Sequence, residues 1–471
     1  MNIMKSVQCV CLGAVVFLTG CSMSPKYSRP KTPVPPVWRA EAAGQESQAT
    51  AGAPAVSELK WQEFFTNEKL REVIALALAG SRDLRMAALN VERVQALYRI
   101  QSAQQFPTVN VSRSGDIYRL PEKMSLTGHS QTVEQYGLSV GAASWELDLF
   151  GRVRSLKSQA LEQYLATEQA RSATQIALVA AVAHTYLALA ADRDNLRLAQ
   201  ATFNSQQASY ELIKRTRDVG TASDLDVRQA ESQMEAARVD IARYSGQLAQ
   251  DENALNLLVG SPVSAGLLPS ELGSDRALKD VSAGLSSEVL LRRPDILMAE
   301  HQLRAAYANI GAARAAFFPR IALTAGAGLM SGDLSDLYKS GARTWNFAPQ
   351  ALLPIFDAGT RKAKLKVAQV DRDSAIAEYE KAIQSAFREV SDSLSLRTRL
   401  MEQEDAQQAL VNTLEETYRL ADARYKAGID GYLSVLIAQR SLYGAQQALV
   451  SLRLARLGNL VTLYKVLGGG A

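Results

Sequence analysis

Nucleophiles and metal ligands are scarce in this chain of 471 residues, and their spacing gives them little to do together. The three histidines, His129, His184 and His301, stand too far apart to form a metal-ligand set. The three cysteines, Cys9, Cys11 and Cys21, all lie at the N-terminus, so no disulfide framework can hold the body. Neither a G-x-x-x-x-G-K-S/T loop nor a G-x-S-x-G elbow occurs, which removes the usual support for NTPase and hydrolase chemistry. The expectation is a protein that is not an enzyme and has no cofactor and no metal site. Its 52 Lys and Arg against 48 Asp and Glu leave a net charge of +4, too small and too dispersed for a nucleic-acid partner. Hydrophobic residues make up 47% and aromatics only 7%, with Ala, Leu and Val dominant, which favours long helices.

One thiol does have chemistry written around it. Lys5 precedes an apolar run from Val10 to Leu18, the pattern of a secretory signal ending in Leu18-Thr19-Gly20-Cys21. That string resembles the bacterial lipobox, in which the Cys becomes the first mature residue and is acylated on sulfur and nitrogen. The plain alternative is an ordinary signal peptide with a chance cysteine. Ser22 stands where Asp would resemble an inner-membrane retention signal, so the resemblance implies the outer membrane. Several acyl chains, at about 0.8 kcal/mol per buried methylene, would hold Cys21 firmly in lipid.

Prolines and repeats define the elements that follow. Pro25, Pro30, Pro33, Pro35 and Pro36 predict an extended strap. Residues 122–261 and 355–471 are Pro-free and rich in helix formers, each with one breaker, at Asp218-Val219-Gly220-Thr221 and Lys426-Ala427-Gly428-Ile429. Each stretch reads as a very long helical hairpin, its first leg about 100 Å long at about 1.5 Å per residue. Tyr210, Gly220, Leu225, Val227, Ala230 and Gly260 recur as Tyr418, Gly428, Leu433, Val435, Ala438 and Gly468, all at an offset of 208. Phe106-Pro107 recurs as Phe318-Pro319 at an offset of 212, so the chain is an internal duplication. The implied organisation is a signal peptide at 1–20, lipid anchor and strap at 21–66, a first repeat at 67–260, an equatorial linker at 261–285 and a second repeat at 286–471.

Within the repeats, segments near 107–118, 133–147, 319–330 and 344–355 alternate with period two, the pattern of transmembrane β-strands. Four strands cannot close a barrel, and lipid does not tolerate an open edge, so either the chain oligomerises or the strands are soluble. Residues 172–191 carry no charge and are long enough for a membrane helix, but their repeat counterpart holds Arg388, Glu389 and Asp392. A packed helix with His184 in its core is the expectation there.

Four strings together resemble the outer-membrane factor family, the TolC-like trimeric export ducts, in its OprM-like lipoprotein branch. They are Ser144-Trp-Glu-Leu-Asp-Leu-Phe-Gly-Arg152, Leu285-Ser-Ser-Glu-Val-Leu-Leu-Arg-Arg-Pro-Asp-Ile296, Ala308-Asn-Ile-Gly-Ala-Ala-Arg-Ala-Ala-Phe-Phe-Pro-Arg320 and Leu353-Pro-Ile-Phe-Asp-Ala-Gly359. The resemblance runs over nearly the whole chain from Cys21. It implies a mainly α protein with a transmembrane β part: a homotrimer whose twelve-stranded barrel continues into a periplasmic α-helical barrel. It also implies a passive outer-membrane duct, coupled through a periplasmic adaptor protein to an inner-membrane efflux transporter.

The resemblance places adaptor docking at the hairpin tips, at Gly220, Thr221, Ser223, Gly428 and Asp430. Plain turn chemistry competes for the same residues, since Ser223-x-x-Asp226 has the form of a capping box. Relatives narrow the tunnel with Leu and Asp in the first turn of the last long helix. Here Leu433 matches, whereas Ser434 and Ile437 occupy the positions of the acids, so an apolar gate is expected. Asp226 and Tyr425 match a pair that ties the two hairpins together in the best-known member. The expectation is an efflux duct for drugs and other small amphiphiles. A heavy-metal duct finds no methionine cluster to support it, a type I protein-secretion duct is a further alternative, and a periplasmic scaffold lipoprotein would need no barrel.

Overall fold

The computed structural model describes residues 23–38, 59–272, 278–279 and 287–469. The signal segment and Cys21 lie outside the described residues. Short helices α1 (Trp61–Phe64) and α2 (Glu68–Gly80) lead into α3 (Arg82–Ala103), strands β1 (Val109–Leu120) and β2 (Gln131–Leu147), and the hairpin α4 (Arg152–Asp218) and α5 (Asp224–Val259). The second half repeats the order with α6 (Pro294–Ala315), β3 (Arg320–Ser331), β4 (Arg343–Leu352), α7 (Thr360–Lys426) and α8 (Tyr432–Val466). The duplication is exact in length where it matters, because α4 and α7 each have 67 residues. Neither contains Gly or Pro, so nothing in the backbone interrupts the helical ladder before the breakers.

Compact packing divides the chain differently from the repeats. One unit gathers residues 23–30, 91–167 and 298–379; the other gathers the described parts of 31–90, 168–297 and 380–469.

In the first unit the strands form one antiparallel sheet in the order β1-β2-β3-β4. Its register sorts residues into two chemical faces. Cross-strand rows Val111–Val140–Ala327–Trp345 and Val109–Ala142–Ala325–Phe347 are apolar, while rows Ser112–Ser139–Gly328–Thr344 and Asn110–Gly141–Gly326–Asn346 are small or polar. Ser112 and Ser139 share a hydrogen bond of 2.8 Å on the polar face. A bulge between Ala142 and Trp145, with Ser144 at φ 52°, resets the alternation. Trp145 and Leu147 therefore join Leu323 and Ile321 on the apolar face, and Glu146 joins the polar one. Sequence alternation alone gave no sign of this extra residue.

The quoted strings are structural joints. Glu146 accepts both guanidinium nitrogens of Arg152 at 2.8 Å and meets Arg320 at 2.5 Å. Asp148 accepts the free backbone N–H groups of Val153 and Arg154 at the start of α4, and Asp357 does the same for Gly359 and Arg361 before α7. The strap is bonded too: Tyr27 and Arg29 donate to Glu300, at 2.9 and 2.7 Å, and Arg304 donates to the same carboxylate at 2.6 Å. Burial pushes the Glu300 carboxyl up, but these bonds outweigh it and hold the group below the ordinary glutamate range.

In the second unit, Arg293 of the Arg-Arg-Pro-Asp string donates to the Val466 carbonyl at 2.6 Å and to Glu389 at 3.0 Å. Trp38 of the strap stacks on Phe387 with ring centroids 4.8 Å apart. His184 pairs with Thr462 at 3.3 Å, and burial lowers its pKa, as a core histidine requires. The uncharged window of α4 is 56% buried within the protein, so it is a packed helix rather than a membrane span.

Candidate functional site: the hairpin tips

The residues singled out for gating and docking lie at two turns, one ending α4 and one ending α7. Each long helix stops in the same way. At the first turn Gly220 N–H reaches the Arg217 carbonyl at 2.8 Å and Thr221 N–H reaches Thr216 at 3.0 Å. At the second, Gly428 N–H reaches Tyr425 at 2.9 Å and Ile429 N–H reaches Arg424 at 3.0 Å. Both pairs of bonds need a left-handed residue, and Gly220 and Gly428 supply it at φ 83° and 71°.

The next helices start differently. Ser223 caps α5: its hydroxyl accepts the Asp226 N–H at 3.2 Å, while the Asp226 carboxylate accepts the Ser223 N–H at 3.0 Å and its O–H at 2.7 Å. These bonds hold the Asp226 carboxyl below the usual aspartate range. Gly431 begins α8 with no side-chain cap. The second turn is instead closed by Arg424, whose guanidinium grips Asp430 through contacts of 2.6 and 3.0 Å and lowers that carboxyl in turn.

Between the turns lies a small apolar core. Ile213, Val227 and Ala230 of the first hairpin pack with Tyr432, Val435 and Leu436 of the second, bordered by Tyr210, Tyr418 and Tyr425. Tyr425 and Tyr432 meet with centroids 5.3 Å apart. The packing follows from the helical spacing of 432, 435 and 436, which puts them on one face of α8. Leu433, Ser434 and Ile437 fall on the opposite face, where Leu433 is 55% and Ile437 59% exposed.

The structure thus brings Leu433, Ser434 and Ile437 together on one open face. It leaves Gly220, Thr221, Ser223 and Gly428 exposed at the turns, and Asp430 half-buried on Arg424. The expected Asp226–Tyr425 tie takes another form. The Asp226 carboxylate is engaged by Ser223, and the Tyr425 ring joins the apolar core, with Asp226 acting on its hydroxyl only through space. Sequence reasoning missed the Arg424–Asp430 clamp and the buried Tyr432; a helix-wheel reading of 432–436 was the available signal for the latter. Among the described residues, no group of three or more His, Cys, Asp or Glu is gathered to hold a metal ion.

Comparison with known proteins bears on the chain as a whole. The family described as outer membrane efflux protein matches residues 73–261 and 285–469, the two repeats. The antibiotic efflux pump outer membrane protein ArpC of Pseudomonas putida is 49% identical over 454 residues, covering 96% of this chain and 93% of its own. The toluene efflux pump outer membrane protein TtgC of Pseudomonas putida gives the same figures, 49% identity with 96% and 93% covered. A crystal structure of a membrane protein from Pseudomonas aeruginosa superposes with a TM-score of 0.89 at 41% identity, covering 96% of this chain and 98% of that one. The chain, with its duplicated hairpins and its single two-faced sheet, belongs to the outer membrane efflux protein family.

Proposed function

We propose that this protein is the outer-membrane duct of a tripartite pump that exports drugs, solvents and other small amphiphilic compounds. The observation that carries the reading is the two-faced sheet with unpaired edges at β1 and β4. An apolar row that includes Trp345 and Phe347 suits lipid, a polar row that includes Ser112 and Thr344 suits water, and open edges need neighbours. Three copies would supply those neighbours and close a twelve-stranded barrel. Related proteins named for toluene and antibiotic efflux support the substrate class.

In this reading Cys21 carries the acyl anchor, and the adaptor docks at Gly220, Thr221, Ser223, Gly428 and Asp430. Leu433, Ser434 and Ile437 would line the narrowest point, with the Tyr432 face as its backing. Catalysis has no part in it: the duct is passive and the transporter supplies the energy. Deleting the gene and profiling susceptibility to antibiotics, toluene and metal salts tests the assignment. Hypersensitivity to drugs and solvents, restored by the full-length gene, is the expected result; sensitivity to metal salts alone would overturn it. Light scattering of the detergent-purified protein should give a mass near three chains.

A further inference from the structure

The apolar face of the sheet ends in a row of a different kind. Beyond the Val111–Val140–Ala327–Trp345 row, toward the β1–β2 and β3–β4 turns, the register continues as Arg113–Leu138–Leu329–Arg343. Four steps of two residues separate this row from Ile321 and Ala351 at the helical end of the sheet. That is about 27 Å along a strand, or about 21 Å of depth at a tilt of about 40°. The apolar band of a membrane barrel is about 25 Å tall, so both arginines stand at its rim, on the side away from α4 and α7.

Both arginines are exposed, and among the described residues neither meets a carboxylate. The one acid on this face of the described strands, Glu134, accepts the Tyr136 hydroxyl at 2.9 Å. Arg113 and Arg343 also sit on the two unpaired edge strands. Positions on this face read Val-Val-Arg-Gly-Ile-Arg from 109 to 119 on β1 and Arg-Trp-Phe-Pro-Ala from 343 to 351 on β4. When β4 of one copy joins β1 of the next, each edge therefore brings the other more positive charge and no acid. Guanidinium groups gathered without a protein partner, at the rim of an apolar band, fit an anion whose own body is apolar.

We propose that Arg113 and Arg343, at the joins between copies, bind the phosphates of a phosphorylated lipid of the outer leaflet. The inference rests on the barrel reading above. Each guanidinium offers paired N–H donors to a phosphate, and the exposed Trp345 and Phe347 lie beneath to receive the acyl chains.

The test is native mass spectrometry of the full-length protein, delipidated in detergent. It is mixed with diphosphorylated lipid A, with the same lipid stripped of phosphate, or with the first lipid plus inorganic phosphate. Trimers carrying the phosphorylated lipid are expected, with binding about tenfold weaker for the stripped lipid and for Arg113→Gln combined with Arg343→Gln. Arg113→Lys with Arg343→Lys should retain most of the binding, and inorganic phosphate at the same concentration should not displace the lipid. Equal binding of the two lipids, an unaltered glutamine variant, or displacement by inorganic phosphate would overturn the site while leaving the trimer standing. A glutamine variant that loses its trimer would assign the arginines to contacts between copies and overturn it too. A monomer from the natural chain would sink the barrel reading itself, and the site with it.

Discussion

Positions 208 residues apart show how the two hairpin tips have diverged from one repeated unit. Ser223 and Asp226 at the first become Gly431 and Ser434 at the second, Arg217 becomes Tyr425, and Asp224 becomes Tyr432. The glycine turns were kept, but the chemistry that starts the following helix was not. At the first tip every bond that caps α5 comes from within four residues, so that turn is stable by itself. At the second, the cap is missing and the helix start leans on Ile213, Val227 and Ala230 of the other hairpin. A turn held by tertiary contact opens when the contact is lost, whereas a self-capped one does not. Loss of this shared core is therefore expected to loosen the second turn more than the first.

The strongest way to break this comparison is Tyr432→Ala. Truncating a buried aromatic costs about 3–5 kcal/mol, far more than any bond at either turn. Higher single-channel conductance in planar bilayers and faster proteolysis near Ala427–Gly431 are expected, with cleavage near Gly220 unchanged. Equal loosening of both tips would show that the two move together.

A smaller effect should follow Ser223→Ala, which removes the cap at about 1 kcal/mol. Hydrogen exchange should rise in the first turn of α5 and nowhere at the second tip, while Tyr425→Phe leaves conductance within about twofold because its hydroxyl makes no bond to Asp226. A large rise in conductance from Tyr425→Phe would restore the direct tie.

Ile437→Asp sharpens the account of the exposed face without touching the apolar core. Block by multivalent cations from the tip side is expected to be weak in the natural protein and stronger in this variant, since Ile437 and Leu433 share that face. Strong block in both would place the constriction elsewhere.

Acid should produce the smallest change. Asp226 and Asp430 are both held below the usual aspartate range, so what they contribute is present above about pH 3.9 and is lost as pH falls through their lowered values. Tip exchange, corrected for intrinsic rates, should stay flat from pH 7 to pH 5. A rise within that interval would mean that other groups hold the turns.

Much of the architecture was legible because it is written in long-range regularities. Pro-free runs, two glycine breakers and a constant offset located the turns between α4 and α5 and between α7 and α8 to within a residue or two. The four strands were legible from period-two alternation, but their ends moved by up to three residues, as at 344–355 against Arg343–Leu352. What could not be read depends on which of several partners a side chain finds. Asp226 could cap its own helix or reach across to Tyr425, and the local bond won because Ser223 is three residues away and always within reach. Arg424 and Asp430 meet only once the turn between them has formed, so neither residue type announced the clamp.

The bulge in β2 has a consequence for how this strand can change length. Between Ala142 and Trp145 two residues face the single Thr324, so β2 carries one residue more than its pairing with β3 uses. A one-codon deletion of Ala143 or Ser144 would leave Trp145 and Leu147 facing outward and Glu146 within reach of its arginines. The strand holds a spare residue, and the position 143–144 is where lineages of this protein can lose a codon and keep both faces of the sheet.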